Sequence, residues 1–357
     1  MKRNKITGLL LAAAMLLTGC AKPEIKPVTS DVKINISSSV KTVETTSETT
    51  QKPLEFNPYV YSAKLAERIP QDHWESFYNL CDALREGKNT FKCSSQEAYK
   101  WCTDIGVLCN LFPTAGLKIE GKSDDGSPAF ENGTGKIHYN IPVEDYLKRQ
   151  RDFEKTILDI LNAADIENDD TDYEKALKLY VYMAKNYVYS DYPDTVEENY
   201  VYRVFETRKG ICVNFASAYA YLLLQVNIDA LNIGCSENKM DHAWTYANIG
   251  GKWYHIDVTW ALHEVINNGT TNYTEATWMD YFMMSDKERT SDGCSVADLT
   301  APLLPEYWVN RTNLSFAAVD SSYNLRGYMA FVSLDENNKI LTYEDMEGKR
   351  HEFRYDR

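Results

Sequence analysis

Three residue types that together can activate a thiol occur in order along the middle of this 357-residue chain: Cys212, His242 and Asp257. A thiolate attacks carbonyls, but an ordinary thiol is mostly protonated at neutral pH, so it needs a base and the base needs an orienting group. Most cysteines pack as small hydrophobes. Cys212 differs by position, because it opens the stretch "KGICVNFASAYAYLLLQ" two residues after Gly210. A thiol in the first turn of a helix faces unsatisfied N–H groups and the positive end of the dipole, which favour thiolate.

The elements that must hold these residues can be read from spacing. Phe215, Tyr219, Leu222, Leu223 and Val226 recur at three- and four-residue steps, which predicts a helix over 211–226 with one buried stripe. Asn227 suits the left-handed stop, and Ile228, Ala230, Leu231 and Ile233 read as a strand. "HAWTYANI" and "KWYHIDVTW" read as two further strands joined at Gly250-Gly251, a hairpin signal. A turn centred on that pair sets Trp244 opposite Asp257 and His242 opposite Thr259, making His242 and Asp257 diagonal neighbours on one face. His255 falls on the same face and competes for the role of base. Ala243, Ala247, Ile249, Ile256 and Val258 form the opposite, apolar face, expected to pack on the cysteine helix or elsewhere in the core.

Upstream, residues 56–115 read as mostly helical, with one helix in "HWESFYNLCDALREG" stopped by Gly87 and another from Ser95 to before Pro113. Residues 116–141 suggest a short hairpin. A long amphipathic helix is expected over 143–164, and another after Asp172 with Ala176, Leu177, Tyr180, Val181 and Ala184 on one face. Downstream, "MAFVSL" and "ILTYED" read as strands of a small β appendage.

The chain begins with Lys2, Arg3 and Lys5, an apolar run from Gly8 to Leu17, and "LTGC" ending at Cys20. The run is about half the roughly 20 residues needed to cross a bilayer, so it reads as a secretory signal. Its ending resembles a bacterial lipobox, which implies cleavage before Cys20 and a lipid on its sulfur. Residues 21–55 hold 11 Ser or Thr, three Pro and no aromatic residue, a composition expected to form a disordered tether. Removing Lys2, Arg3 and Lys5 leaves 35 of the 38 Lys and Arg against 52 Asp and Glu, a net charge of −17. So acidic a body, with no basic run, argues against a nucleic-acid partner or attraction to anionic lipid. Without Cys20, seven of the eight cysteines remain, an odd number that leaves at least one thiol unpaired in an exported protein. No His or Cys spacing points to a metal, and the chemistry requires no cofactor.

"RKGICVNFASAYAYLL", "DHAWTYANIGGKWYHIDVTW" and "YFMMSDKE" resemble the transglutaminase-like superfamily of papain-type thiol enzymes, in its bacterial lipoprotein branch. The resemblance covers roughly residues 172–290. It implies an α+β fold in which a nucleophile-bearing helix packs on an antiparallel sheet, and it makes Cys212 the nucleophile, His242 the base and Asp257 the orienter. It also offers Tyr189 as an oxyanion donor beside the Cys212 N–H. Val213-Asn214 stand where many relatives carry Gln-Gly, and His255 is an extra imidazole. The expected organisation is a signal peptide at 1–19, the lipidated Cys20 and tether to 55, a mostly helical region at 56–165, the catalytic domain at 166–310 and the β appendage at 311–357. The function implied is thiol attack on amide or peptide carbonyls through a thioester, resolved by water (a protease or amidase) or by an amine (a crosslink). Its partners would be a protein or peptide, cell-wall peptide among them, with the membrane reached through Cys20 in an extracytoplasmic location. Two alternatives share the sequence: a catalytically silent surface or cell-wall binding module, and a structural surface protein with Cys212 in a disulfide. Specificity is expected in loops at 191–200 and 263–277.

Overall fold

Short polar side chains start most of the N-terminal helices of this computed structural model, which describes residues 53–190, 201–235, 241–291 and 316–356, with isolated positions between 293 and 303. The expected signal, Cys20, nearly all of the tether and the 191–200 loop lie outside the described residues. Helices α1 (Ala63–Ala66) and α2 (Gln71–Arg85) lead to strand β1 (Thr90–Lys92). The helix expected from Ser95 to Pro113 is instead two, α3 (Gln96–Cys102) and α4 (Ile105–Leu111). Asp104 divides them, because its carboxylate accepts the N–H groups of Gly106 and Val107 and so begins a new helix. The region read as one hairpin holds four short strands, β2 (Ile119–Glu120), β3 (Phe130–Glu131), β4 (Thr134–Lys136) and β5 (His138–Tyr139). Of these β3 and β4 do form a hairpin, but β4 also pairs with β1, and β2 pairs with β5. Helix α5 (Val143–Ala163) follows with the expected bounds.

Thr171 and Glu174 close a reciprocal capping box at the start of α6 (Asp172–Asn186), whose predicted face is buried. Next come β6 (Val188–Ser190), α7 (Val201–Thr207), β7 (Lys209–Gly210) and α8 (Cys212–Gln225). The single stripe expected on α8 is an underestimate, since every residue from Asn214 to Gln225 is buried. The reason is that α8 is covered on more than one side. The Tyr219 hydroxyl donates to the Ala176 carbonyl of α6 at 2.7 Å, and the Tyr221 ring meets Phe205 of α7. On the sheet side, the Thr245 hydroxyl donates to the Ala216 carbonyl at 2.8 Å, and Asn232 donates to Ser217 Oγ.

That sheet is antiparallel, built from β8 (Ala230–Cys235), β9 (His242–Ile249) and β10 (Lys252–Ile256) in the order β10-β9-β8. Asn227 takes φ 64° after α8, and Gly250 and Gly251 take 59° and 83° in the hairpin turn, as their types predict. Lys252 pairs with Ile249 and Ile256 with Thr245, the register anticipated from the glycine pair. The expected strand extension to Trp260 is wrong. Pairing ends at Ile256; the Asp257 N–H turns away to the Tyr281 carbonyl at 2.9 Å, and Val258–Ala261 coil into a 3₁₀ turn. Aspartate is a poor strand former, and here it leaves the ladder.

The 263–277 segment, expected as a loop, contains a hairpin of β11 (Glu264–Asn267) and β12 (Thr270–Tyr273), with β11 parallel to β6. A 3₁₀ turn (Met279–Tyr281) and α9 (Asp286–Thr290) follow. The C-terminal strands β13 (Ala330–Asp335), β14 (Ile340–Glu344) and β15 (Arg350–Arg354) form their own antiparallel sheet. It is bonded to α6 rather than hanging free: buried Glu174 accepts from Lys339 Nζ at 2.7 Å and from the Tyr355 hydroxyl at 2.6 Å. Among the described residues, no helix is long and apolar enough to cross a membrane.

Candidate active site

The chain direction brings the start of β9 to the start of α8. Strand β8 runs back along α8 from its C-terminal end, and β9 runs antiparallel to β8, so β9 and α8 point the same way. His242, the first residue of β9, therefore lies at the end where Cys212 begins its helix. Cys212 is a partly exposed cysteine, unlike the buried Cys81, Cys93, Cys102 and Cys109. Burial pushes the Cys81 and Cys102 thiols well up, which makes them inert packing groups. Cys235, opposite His242 on β8, is disulfide-bonded, and its partner lies outside the described residues. Ile211, the N-cap of α8, has no side-chain acceptor to offer the first-turn N–H groups; Asn214 Oδ1 accepts the Ile211 N–H at 3.0 Å instead. A methyl group on Gly210 would press on the Asn214 Cβ at 2.9 Å, so the tight approach to Cys212 requires glycine there.

His242 and Asp257 meet as the register anticipated. His242 Nε2 lies 2.6 Å from Asp257 Oδ2, with both side chains sealed from solvent. Arg289 Nη1 donates to that same oxygen at 3.1 Å. Asp257 Oδ2 thus lies between the His242 imidazole and a guanidinium. The Trp260 indole N–H donates to His242 Nε2 at 2.8 Å, its ring edge-on to the imidazole, and so covers the His242–Asp257 contact. Trp260 in turn stacks on Tyr281, with ring centroids 5.2 Å apart.

His255 shares the face but not the environment. It is fully buried; its Nδ1 accepts the Trp244 indole N–H at 3.0 Å, and its Nε2 donates to Asp286 Oδ1 at 2.9 Å. Burial pushes its pKa down, and the attraction of Asp286 offsets this only in part. Both nitrogens are engaged in structure, and Trp244 stands between the two imidazoles. Tyr189 pairs across β6–β7 with Gly210, two residues before Cys212, and its ring lies 6.5 Å from that of Phe215 on α8.

Two residues escaped the sequence reading. Trp260 was placed on a strand, although its position three residues past Asp257 fits one turn of a 3₁₀ helix. Arg289 lies just past the "YFMMSDKE" block, 32 residues from Asp257, and no periodicity links it to the carboxylate. An acidic trio of Glu167, Asp170 and Glu336 exists among the described residues, but Lys178 Nζ already bonds Asp170 and Glu336 at 2.9 Å each.

Residues 162–258, which include Cys212, His242 and Asp257, match the family model of the transglutaminase-like superfamily. That segment resembles the transglutaminase-like superfamily and has a mixed α+β fold. Among solved structures it is similar to a TGase (17% identity, TM-score 0.29), covering 38% of this chain and 37% of that one. It is also similar to a "Putative Cysteine Protease from Cytophaga hutchinsonii" (20% identity, TM-score 0.26), covering 41% of this chain and 63% of that one. The chain therefore spans less than two thirds of either structure it matches. No curated protein matches the sequence.

Proposed function

We propose that this chain is a surface-anchored thiol enzyme that attacks amide or peptide carbonyls, with Cys212 as nucleophile, His242 as base and Asp257 as orienter. The observation that carries the reading is the sealed 2.6 Å bond from His242 to Asp257 at the end of the sheet where the half-exposed Cys212 starts α8. With Nε2 committed to Asp257, the other ring nitrogen, Nδ1, takes the Cys212 proton. The thiolate then adds to the carbonyl carbon, and the oxyanion is received by the Cys212 backbone N–H and the Tyr189 hydroxyl. Collapse of the tetrahedral intermediate breaks the C–N bond; His242 returns the proton to the leaving amine and a thioester remains. Water releases an acid, whereas a primary amine gives a new amide. The lipid on Cys20 would hold the enzyme at the outer membrane–water boundary, facing protein or cell-wall peptide.

The test incubates the purified protein with glutamine-containing and cell-wall peptides, with and without an added primary amine, and follows products by mass. Amide loss or amine incorporation that disappears in Cys212→Ala supports the reading. A folded wild-type protein whose Cys212 resists iodoacetamide at neutral pH favours the silent binding module instead. Cys20→Ser should move the protein from the membrane fraction to the medium, and unchanged fractionation would remove the anchor from this proposal.

A further inference from the structure

A buried carboxylate that uses only one of its oxygens is costly unless a charge compensates it. Asp257 is such a group: Oδ2 takes both hydrogen bonds, and buried Oδ1 has no partner among the described residues. The compensating charge is Arg289, itself 1% exposed. Its guanidinium lies 3.9 Å over the Trp244 ring, and Trp244 is fixed in turn by its N–H bond to His255, which Asp286 anchors. Its backbone N–H is held by the Ser285 carbonyl at 2.9 Å, in a turn closed by the Ser285–Glu288 capping box.

We propose that Arg289 is a positioning residue of this site, holding the Asp257 carboxylate against His242 and balancing its charge while the thiolate forms. The inference rests on the thiol-enzyme reading above. With the thiolate–imidazolium pair formed, Cys212, His242, Asp257 and Arg289 sum to zero charge. Without Arg289 the pair forms beside an uncompensated negative charge. Losing a cation disfavours the thiolate and favours the imidazolium, so both limbs of a pH profile move to higher pH. The other groups facing this centre do not replace Arg289. His255 and Asp286 lie behind Trp244, Glu288 is engaged with Ser285, and Tyr180, beside Asp257, is held neutral by burial. The buried chain from Trp244 through His255 to Asp286 thereby acquires a purpose: it keeps the platform on which the guanidinium stacks.

The experiment measures the rate of Cys212 alkylation by iodoacetamide against pH, by mass mapping of the full-length protein. It compares wild type, Arg289→Met, Arg289→Lys, Asp257→Asn and the double variant Asp257→Asn/Arg289→Met. Arg289→Met should slow alkylation on the acid limb about tenfold, a shift of about one pH unit. Arg289→Lys should restore most of the loss. In the Asp257→Asn background, removing Arg289 should change the rate less than it does in wild type, because the positioning part of its effect acts through that carboxylate. Should Arg289→Met fail to fold, Arg289→Gln, which keeps an N–H donor without the charge, carries the same expectation. An Arg289 profile superimposable on wild type overturns the inference alone, as does an equal shift with and without the Asp257 carboxylate. A wild-type protein with no selective labelling of Cys212 overturns the thiol-enzyme reading and this inference with it.

Discussion

His242 and His255 sit on one face of one hairpin, and the two ends of that face have opposite characters. At the His242 end, the strand begins beside a helix N-terminus and a half-exposed thiol, with one ring nitrogen tied to a carboxylate. Toward the Gly250-Gly251 turn, His255 is enclosed by Trp244, Tyr246 and Asp286, and Tyr246 stacks flat on Trp253 with centroids 4.6 Å apart. Register alone puts both imidazoles in reach of Asp257. What separates them is the distribution of hydrogen-bond partners over the two ring nitrogens. In His255 the indole N–H and the carboxylate occupy different ring nitrogens, whereas in His242 both lie against Nε2.

The largest effect expected at the first end is that of Cys212→Ala, which should remove thiol-dependent amide chemistry entirely. Its melting temperature should stay near wild type, because a half-exposed side chain leaves little cavity. An inactive variant that has also lost its melting transition would make Cys212 structural. His242→Ala should follow, slowing Cys212 alkylation at neutral pH by about 10²-fold or more, as expected for loss of a base. His255→Ala separates the two ends. It should cost about 2–4 kcal/mol by orphaning the Trp244 N–H and opening a buried cavity, read as a lowered denaturant midpoint. In its folded fraction the reactive thiolate should persist, with a shift of the alkylation profile smaller than that of Arg289→Met. The reverse pattern, a stable His255→Ala with loss of the low-pH reactive thiolate, would exchange the roles of the two histidines.

A smaller effect is expected of Tyr189→Phe. Loss of one oxyanion donor should lower turnover by about 10²-fold while leaving Cys212 alkylation unchanged, since alkylation forms no oxyanion. Smallest is an effect on stability far from both histidines. Burial raises the Glu174 carboxyl, but bonds from Lys339, Tyr355 and Thr171 outweigh it and hold the pKa down at about 2. A depressed folded-state value adds stability above the unfolded value of about 4.3, and that stability fades as pH falls toward 2. Glu174→Gln should flatten this acid dependence in thermal melts; an unchanged slope would remove Glu174 from the account.

Much of this was legible because particular residues admit few alternatives. Gly250-Gly251 fixed the hairpin register as far as Ile256–Thr245, and Asp257, one residue past the ladder, still meets His242 across 15 residues. Asn227 marked the end of α8 by its tolerance of positive φ. Where reading failed, the deciding partner was remote. The Val258–Ala261 turn ends the ladder after Ile256, and Arg289 reaches the carboxylate from another element. The all-round burial of α8 depends on α6 and α7 closing over it, which the stripe at three- and four-residue steps does not encode. Asp104 was read as interior to a helix it begins, because a cap and a solvated helical carboxylate look alike in sequence.

The bond between Glu174 and Tyr355 spans 181 residues and therefore sets an order of events. Synthesis delivers α6 early and β15 last, at about 5–20 residues per second, so α6 waits roughly ten seconds or more for its closing partner. The turn at 279–282 waits as well: the Asp280 carboxylate accepts the N–H groups of Gly327, Tyr328 and Met329, and Tyr281 in that turn backs Trp260 over His242. The screen over the base is thus completed by residues made 47 to 49 positions after Asp280. A nascent chain carries the nucleophile long before it carries the finished wall of its own site, and premature stops or C-terminal trimming should leave a thiol without its setting.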